Sequence, residues 1–160
     1  MKKVYLAGPD VFRENAKAHG ELLKAMCRTQ DLEGLYPLDN ELKPSGNPAQ
    51  DAKWIFEADC AQVRECDGVI ANLTAFRGPS IDVGTAFEIG FAKALGKPVV
   101  GYWASHRPYN SRAEIYTGPD ATYPNLEDFG LFDNLMIACG VDSIESSPEL
   151  ALAKLKELLK

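Results

Sequence analysis

Three short apolar runs, VYLAG (4–8), GVIANL (68–73) and VVGYW (99–103), are separated by amphipathic stretches of helical length, and this alternation constrains the chain more than any other feature. Strands that read as almost unbroken apolar runs are covered on both faces, and strands alternating with helices give a parallel sheet between helical layers. A single α/β domain over residues 1–160, with a central parallel sheet, is the expected architecture. Gly8-Pro9 stops the first run. Residues 11–29 then carry Val11, Leu22, Leu23 and Met26 as the inward side of a helix. LYPL (35–38) reads as a second short strand, 39–50 as a long surface loop and 49–65 as a helix. A helix covering the stretch from 81 ends at Gly96-Lys97-Pro98, residues 104–134 are loop-rich, and a weak last strand falls around Ile144. The chain closes on a helix capped by Ser147 or Ser146, with Pro148 in its first turn.

The formal net charge is −6 and the basic residues are scattered, which argues against a nucleic-acid partner, since that affinity rests on clustered Lys and Arg. The four cysteines form no CxxC pair and the two histidines stand far from them, so neither a metal site nor a redox role is expected. No run reaches membrane-spanning length and the N-terminus lacks a cleavage region, so the expected location is the cytoplasm, away from membranes.

Ligands of open parallel sheets bind beyond the carboxyl ends of the strands. That brings together Tyr5 to Phe12, Asn72 to Asp82, and the helix bearing Glu88, so Phe12, Gly78 and Gly84 become candidate substrate-binding positions. Glu88 sits among Phe87, Ile89 and Phe91. A carboxylate so placed either faces solvent from an amphipathic helix or has a chemical task, and periodicity alone leaves both open. Helical side chains lean toward the N-terminus, so Glu88 overlies Gly84, whose missing side chain leaves a slot for a flat or ring-shaped ligand. The helix's positive end would favour an ionised Glu88, although that field fades beyond the first turn. Asp82 serves equally well as an N-cap or as a ligand. Asp59, in FEADCAQVRECD, is either a solvated helix residue or a third carboxylate of the crevice. Carboxylates sharing a crevice repel, which raises at least one pKa and separates an ionised nucleophile from a protonated acid, as glycosyl chemistry requires. Neither GxGxxG nor a P-loop is present, GPDVF sets an acid where a phosphate cradle needs bare amides, and Arg77 is the one obvious anion-binding side chain nearby. A neutral ligand is favoured.

YLAGPDVF (5–12), CDGVIANLTAFRGPSIDVGTAFEIGFA (66–92) and FGLFDNLM (129–136), in this order, resemble the nucleoside 2-deoxyribosyltransferases over nearly the whole chain. The resemblance implies a flavodoxin-like three-layer sandwich and transfer of 2-deoxyribose between nucleobases through a covalent intermediate on Glu88, with no cofactor. Tyr5 would orient Glu88, and Asp59 and Asp82 would hold the sugar hydroxyl and the base, one of them protonating the departing base. Asp39 and Asn40 fall where the family touches the base. Asn134 corresponds to a residue donated across a subunit interface toward the 5′-hydroxyl, so the expected assembly is a homo-oligomer, with a dimer as active unit and a hexamer as an upper form. The alternative is hydrolysis of deoxynucleosides or their 5′-monophosphates, with water in place of the acceptor base.

Overall fold

A computed structural model describes residues 1–41, 43–116, 122 and 124–160. Five strands, β1 (Lys2–Ala7), β2 (Leu32–Leu35), β3 (Gly68–Asn72), β4 (Val99–Tyr102) and β5 (Ser143–Glu145), form one sheet in the order β2-β1-β3-β4-β5. Every pairing is parallel, which gives the flavodoxin-like order. The major helices are α1 (Ala16–Thr29), α2 (Pro48–Glu65) and α3 (Val83–Ala94), and the short α4 (Tyr109–Ala113) and α5 (Leu135–Ala138) precede the C-terminal α6 (Pro148–Leu158). The strand order reverses between β1 and β3, and the loops leaving those two strands diverge there to open a crevice.

Alternation along the strands sorts side chains into two cores. Val4, Leu6, Ile70, Val100 and Tyr102 face α1 and α6 and pack with Leu23, Cys27, Leu152 and Leu155. Tyr5, Ala7, Val69, Ala71 and Val99 face α2 and α3 and pack with Val63, Ile89 and Ala92. Two glycines mark close approaches: a Cβ on Gly20 would lie 2.4 Å from the Tyr36 ring, and one on Gly101 would lie 2.2 Å from Leu73 Cδ1.

Two local expectations are corrected. The second strand ends at Leu35, and Tyr36 instead opens a 3-10 turn over Pro37–Asp39, because Pro37 fixes φ and offers no N–H to a ladder. In α1 the buried stripe is Ala16, Gly20, Leu23 and Cys27, leaving Leu22 52% exposed, while Val11 and Met26 pack at the core's edge. Val11 belongs to a separate 3-10 turn, Pro9–Phe12. The strand at Ile144 and the Ser147 cap, whose hydroxyl accepts from the Leu150 amide at 3.3 Å, are present as expected. The parts of the expected loops at 42, 117–121 and 123 lie outside the described residues.

Candidate active site

β1 supplies Tyr5, α2 supplies Asp59 and α3 supplies Glu88. The Tyr5 side chain is fully buried under the sheet's α2/α3 layer, and its hydroxyl donates to Glu88 Oε1 at 2.5 Å. Glu88 is half-buried at the wall of a cavity of about 120 Å³, shared with Asp59, Cys60, Gly84, Phe87 and Phe91. Asp59 also borders a second cavity of about 230 Å³, formed with Val11, Leu38, Asn40 and Trp54. The two chambers therefore meet at one carboxyl, the smaller at Glu88 and the larger reaching the loop after β1.

The electrostatics follow from burial. Removal from water pushes Glu88 up to about 8; the Tyr5 hydroxyl opposes this, and the charges of Asp59 and Asp82 add to it. Burial also lifts Asp59 to about 6, opposed by a hydrogen bond with Asn40. Tyr5 is driven upward, first by burial and then by the Glu88 charge, so its phenol stays a neutral donor. The expectation that the helix end would favour an ionised Glu88 is thus reversed in the empty site: the residue lies beyond the first turn, and desolvation outweighs the helix field. One proton is held between two carboxyls of unequal basicity, and their titration belongs to the pair.

Asp82 is the N-cap of α3. Its Oδ2 accepts from the Thr85 amide at 2.9 Å and the Thr85 hydroxyl at 3.0 Å, and a Cβ on Gly84 would meet the same oxygen at 3.0 Å. The second carboxylate oxygen has no hydrogen bond among the described residues. Asn40 joins Asp59, but Asp39 does not join this cavity. Its carboxylate accepts from the Tyr36 amide at 3.0 Å and pairs with Lys24 at 2.6 Å, which draws it toward a separate cleft of about 440 Å³ beside α1. Asn134 caps α5, accepting from the Met136 amide and donating to Glu127, both at 3.0 Å. Phe12 is 57% exposed and stacks on Phe76, and Gly78 stands at a loop tip with open space where a side chain would be.

Two buried acids escaped sequence reasoning. Asp10, 3% exposed, accepts from the Asn72 amide group at 2.8 Å and from Arg13 Nε at 2.6 Å, with His19 Nε2 at 3.3 Å. It ties the turn after β1 to the end of β3. Asp133, 1% exposed, accepts from the Ser80 hydroxyl, the Ile81 amide at 3.1 Å and the Asn134 amide at 2.8 Å, fastening the loop before α3 to the segment before α5. The only sequence signal for either was a short acid inside an apolar motif. Among the described residues, no group of three or more His, Cys, Asp or Glu is placed to hold a metal ion, and no helix is long and apolar enough to cross a membrane.

A protein-family model described as nucleoside 2-deoxyribosyltransferase matches residues 4–136. Among solved structures, a 2-desoxiribosyltransferase from Leishmania mexicana is 35% identical, with 98% of each chain covered and a TM-score of 0.77. An uncharacterized protein of Schizosaccharomyces pombe is 36% identical over 116 residues, 71% of this chain and 55% of that protein. The 5-hydroxymethyl-dUMP N-hydrolase of Mus musculus is 34% identical over 89 residues, 55% of this chain and 49% of that protein. The chain spans about half the length of the curated relatives it matches.

Proposed function

The chain belongs to the nucleoside 2-deoxyribosyltransferase family, and on that premise we propose that it moves 2-deoxyribose from one nucleobase to another by double displacement through Glu88. The observation that carries this reading is the 2.5 Å bond from the buried Tyr5 hydroxyl to Glu88 Oε1, which aims the carboxyl into a small chamber. The ionised Glu88 oxygen attacks C1′ as the bond from C1′ to the base nitrogen breaks. Asp59 or Asp82 delivers a proton to that nitrogen, and the base leaves neutral. The glycosyl ester on Glu88 is then attacked at C1′ by the nitrogen of a second base, which returns its proton to the acid and frees the carboxylate. Two inversions give net retention. The absent 2′-hydroxyl lets positive charge develop at C1′, so a deoxy sugar is the fitting donor.

Burial that holds Glu88 near 8 and Asp59 near 6 supplies an acid and a base within one pair. Asp82 argues for nucleosides over 5′-monophosphates, because its carboxylate occupies the helix N-terminus where a phosphate would otherwise be welcomed. The active unit is a homo-oligomer in this reading. Phe56 and Phe87, rings 5.7 Å apart and about half exposed beside the chamber, give a second copy an apolar face to cover, and Asn134 of that copy is the expected donor to the 5′-hydroxyl.

Hydrolysis is the second reading, favoured by the activity that the mouse relative's name carries. Deoxyinosine with adenine should yield deoxyadenosine, and a 2-fluoro sugar analogue should leave a covalent mass adduct on Glu88. Free deoxyribose, or its phosphate from a monophosphate, released at the same rate with or without added base would replace the transferase by the hydrolase. Saturable binding without turnover or adduct would leave only a nucleoside-binding protein.

A further inference from the structure

Arg77 is the one cation at the mouth of the crevice that sequence reasoning marked, and its backbone is in the left-handed region, with φ 53°. It sits in a tight reversal between Leu73 and Asp82, where Ala75 bridges Ile81 and the Phe76 amide donates to Ser80 O at 3.0 Å. A turn needing positive φ favours glycine, and an arginine there carries a penalty that glycine escapes. Something in the side chain must compensate. The guanidinium carbon lies 4.9 Å from the Phe12 ring centre and 4.5 Å from that of Phe76, and those two rings stack at 5.1 Å with 19° between their planes. Phe12 belongs to the turn after β1 and Phe76 to the loop after β3, so one planar cation spans both walls of the crevice. On the inner side the same two segments are tied by the Asp10–Asn72 hydrogen bond. Val11, between these two ties, walls the larger cavity beside Asp59.

We infer that Arg77 is a positioning residue: its guanidinium clips Phe12 to Phe76, fixing the turn after β1 and the loop after β3 as one wall of the nucleoside cleft. A clip of this kind presents the aromatic pair as a preset surface for a flat base. It also commits the nearby cation to rings instead of to a phosphate. The kinetic part of the inference rests on the proposed nucleoside chemistry, while the structural part needs no substrate.

Arg77→Ala, Arg77→Gly and Arg77→Lys separate the possibilities. Amide hydrogen exchange of the ligand-free protein should accelerate about tenfold in both 9–13 and 74–80 for the Ala and Gly variants, the size expected from two cation–π contacts. The Lys variant should fall between them and the native protein, since an ammonium keeps the charge without the planar stack. In base exchange, KM for the deoxynucleoside should rise about tenfold in the Ala and Gly variants, with kcat within twofold. A glycine variant that matches the native protein in exchange and KM would reduce Arg77 to a turn residue and overturn the inference. Loosening confined to 74–80 would do the same, as would a loss restricted to 5′-monophosphate substrates, which would make Arg77 a phosphate-binding side chain. Should the exchange result hold while no base exchange is detectable in the native protein, the clip stands and the transferase reading falls.

Discussion

On the α1/α6 side of the sheet, one register row reads Leu6, Ile70, Val100, three bulky side chains locked against Leu152 and Leu155. On the α2/α3 side, the adjacent row reads Ala7, Ala71, Gly101, with Leu73 folded into the space a side chain on Gly101 would take. The same strands thus build a dry seal on one face and withhold bulk on the other, at the carboxyl ends where the crevice opens. What the difference teaches is a separation of tasks: the first face supplies apolar burial, and the second tolerates Glu88 and Asp59 out of bulk water because its helices stand apart around two small chambers.

The contrast is most directly broken at Glu88. Glu88→Ala should lower base exchange by at least about 10³-fold while the protein remains folded by circular dichroism, since it removes the attacking atom and no core packing. The mirror experiment is Leu155→Ala, at a site fully enclosed on the other face. It should cost about 2–5 kcal/mol in urea unfolding and leave kcat per folded molecule unchanged. A large kcat loss there would merge the two tasks.

Tyr5→Phe should reduce kcat by about 10–10²-fold with little change in KM, as it takes the orienting donor from the nucleophile. Because the Tyr5 bond opposes the upward push on Glu88, its removal should also move the basic limb of the pH profile higher. In the native protein, kcat/KM should be bell-shaped with limbs near 6 and 8, belonging to the carboxyl pair. The smallest effect concerns stability. The folded carboxyl of Glu88 titrates near 8, above its ordinary 4.5, so between those values the unfolded chain has released a proton that the folded chain retains, and stability falls as pH rises. Glu88→Gln should be the more stable protein by ~1–3 kcal/mol at pH 9 and gain nothing at pH 4, measured by thermal unfolding.

Much of the fold was legible because β1, β3 and β4 are apolar runs with clear punctuation. β2 was misplaced because LEGL is half polar while the neighbouring LYPL looks apolar. The stripe of α1 was misread because it is built from Ala16, Gly20 and Cys27, small residues that hydropathy undervalues beside Leu22. In the site, Glu88 and Tyr5 stand 83 positions apart, a pairing that periodicity could not supply and the family resemblance did. Asp10 and Asp133 were overlooked because local sequence does not reveal that an acid will be enclosed and bonded by distant partners. Asp39 was grouped with Asn40 by adjacency, yet consecutive residues at the end of a turn point to different sides, one to Lys24 and the other to Asp59.

Gly101 has a consequence for anyone wishing to enlarge this enzyme's repertoire. Trimming is the usual route to accommodating a larger substrate, but the strand row nearest the crevice is already reduced to methyl groups and a hydrogen, and Leu73 reclaims the last vacancy. Further latitude must come from the periphery, by repacking Trp54 and Phe56 or altering the segment around Asn40, where changes leave the sheet intact. Diversification within this scaffold should therefore be written in its rim, with its floor held constant.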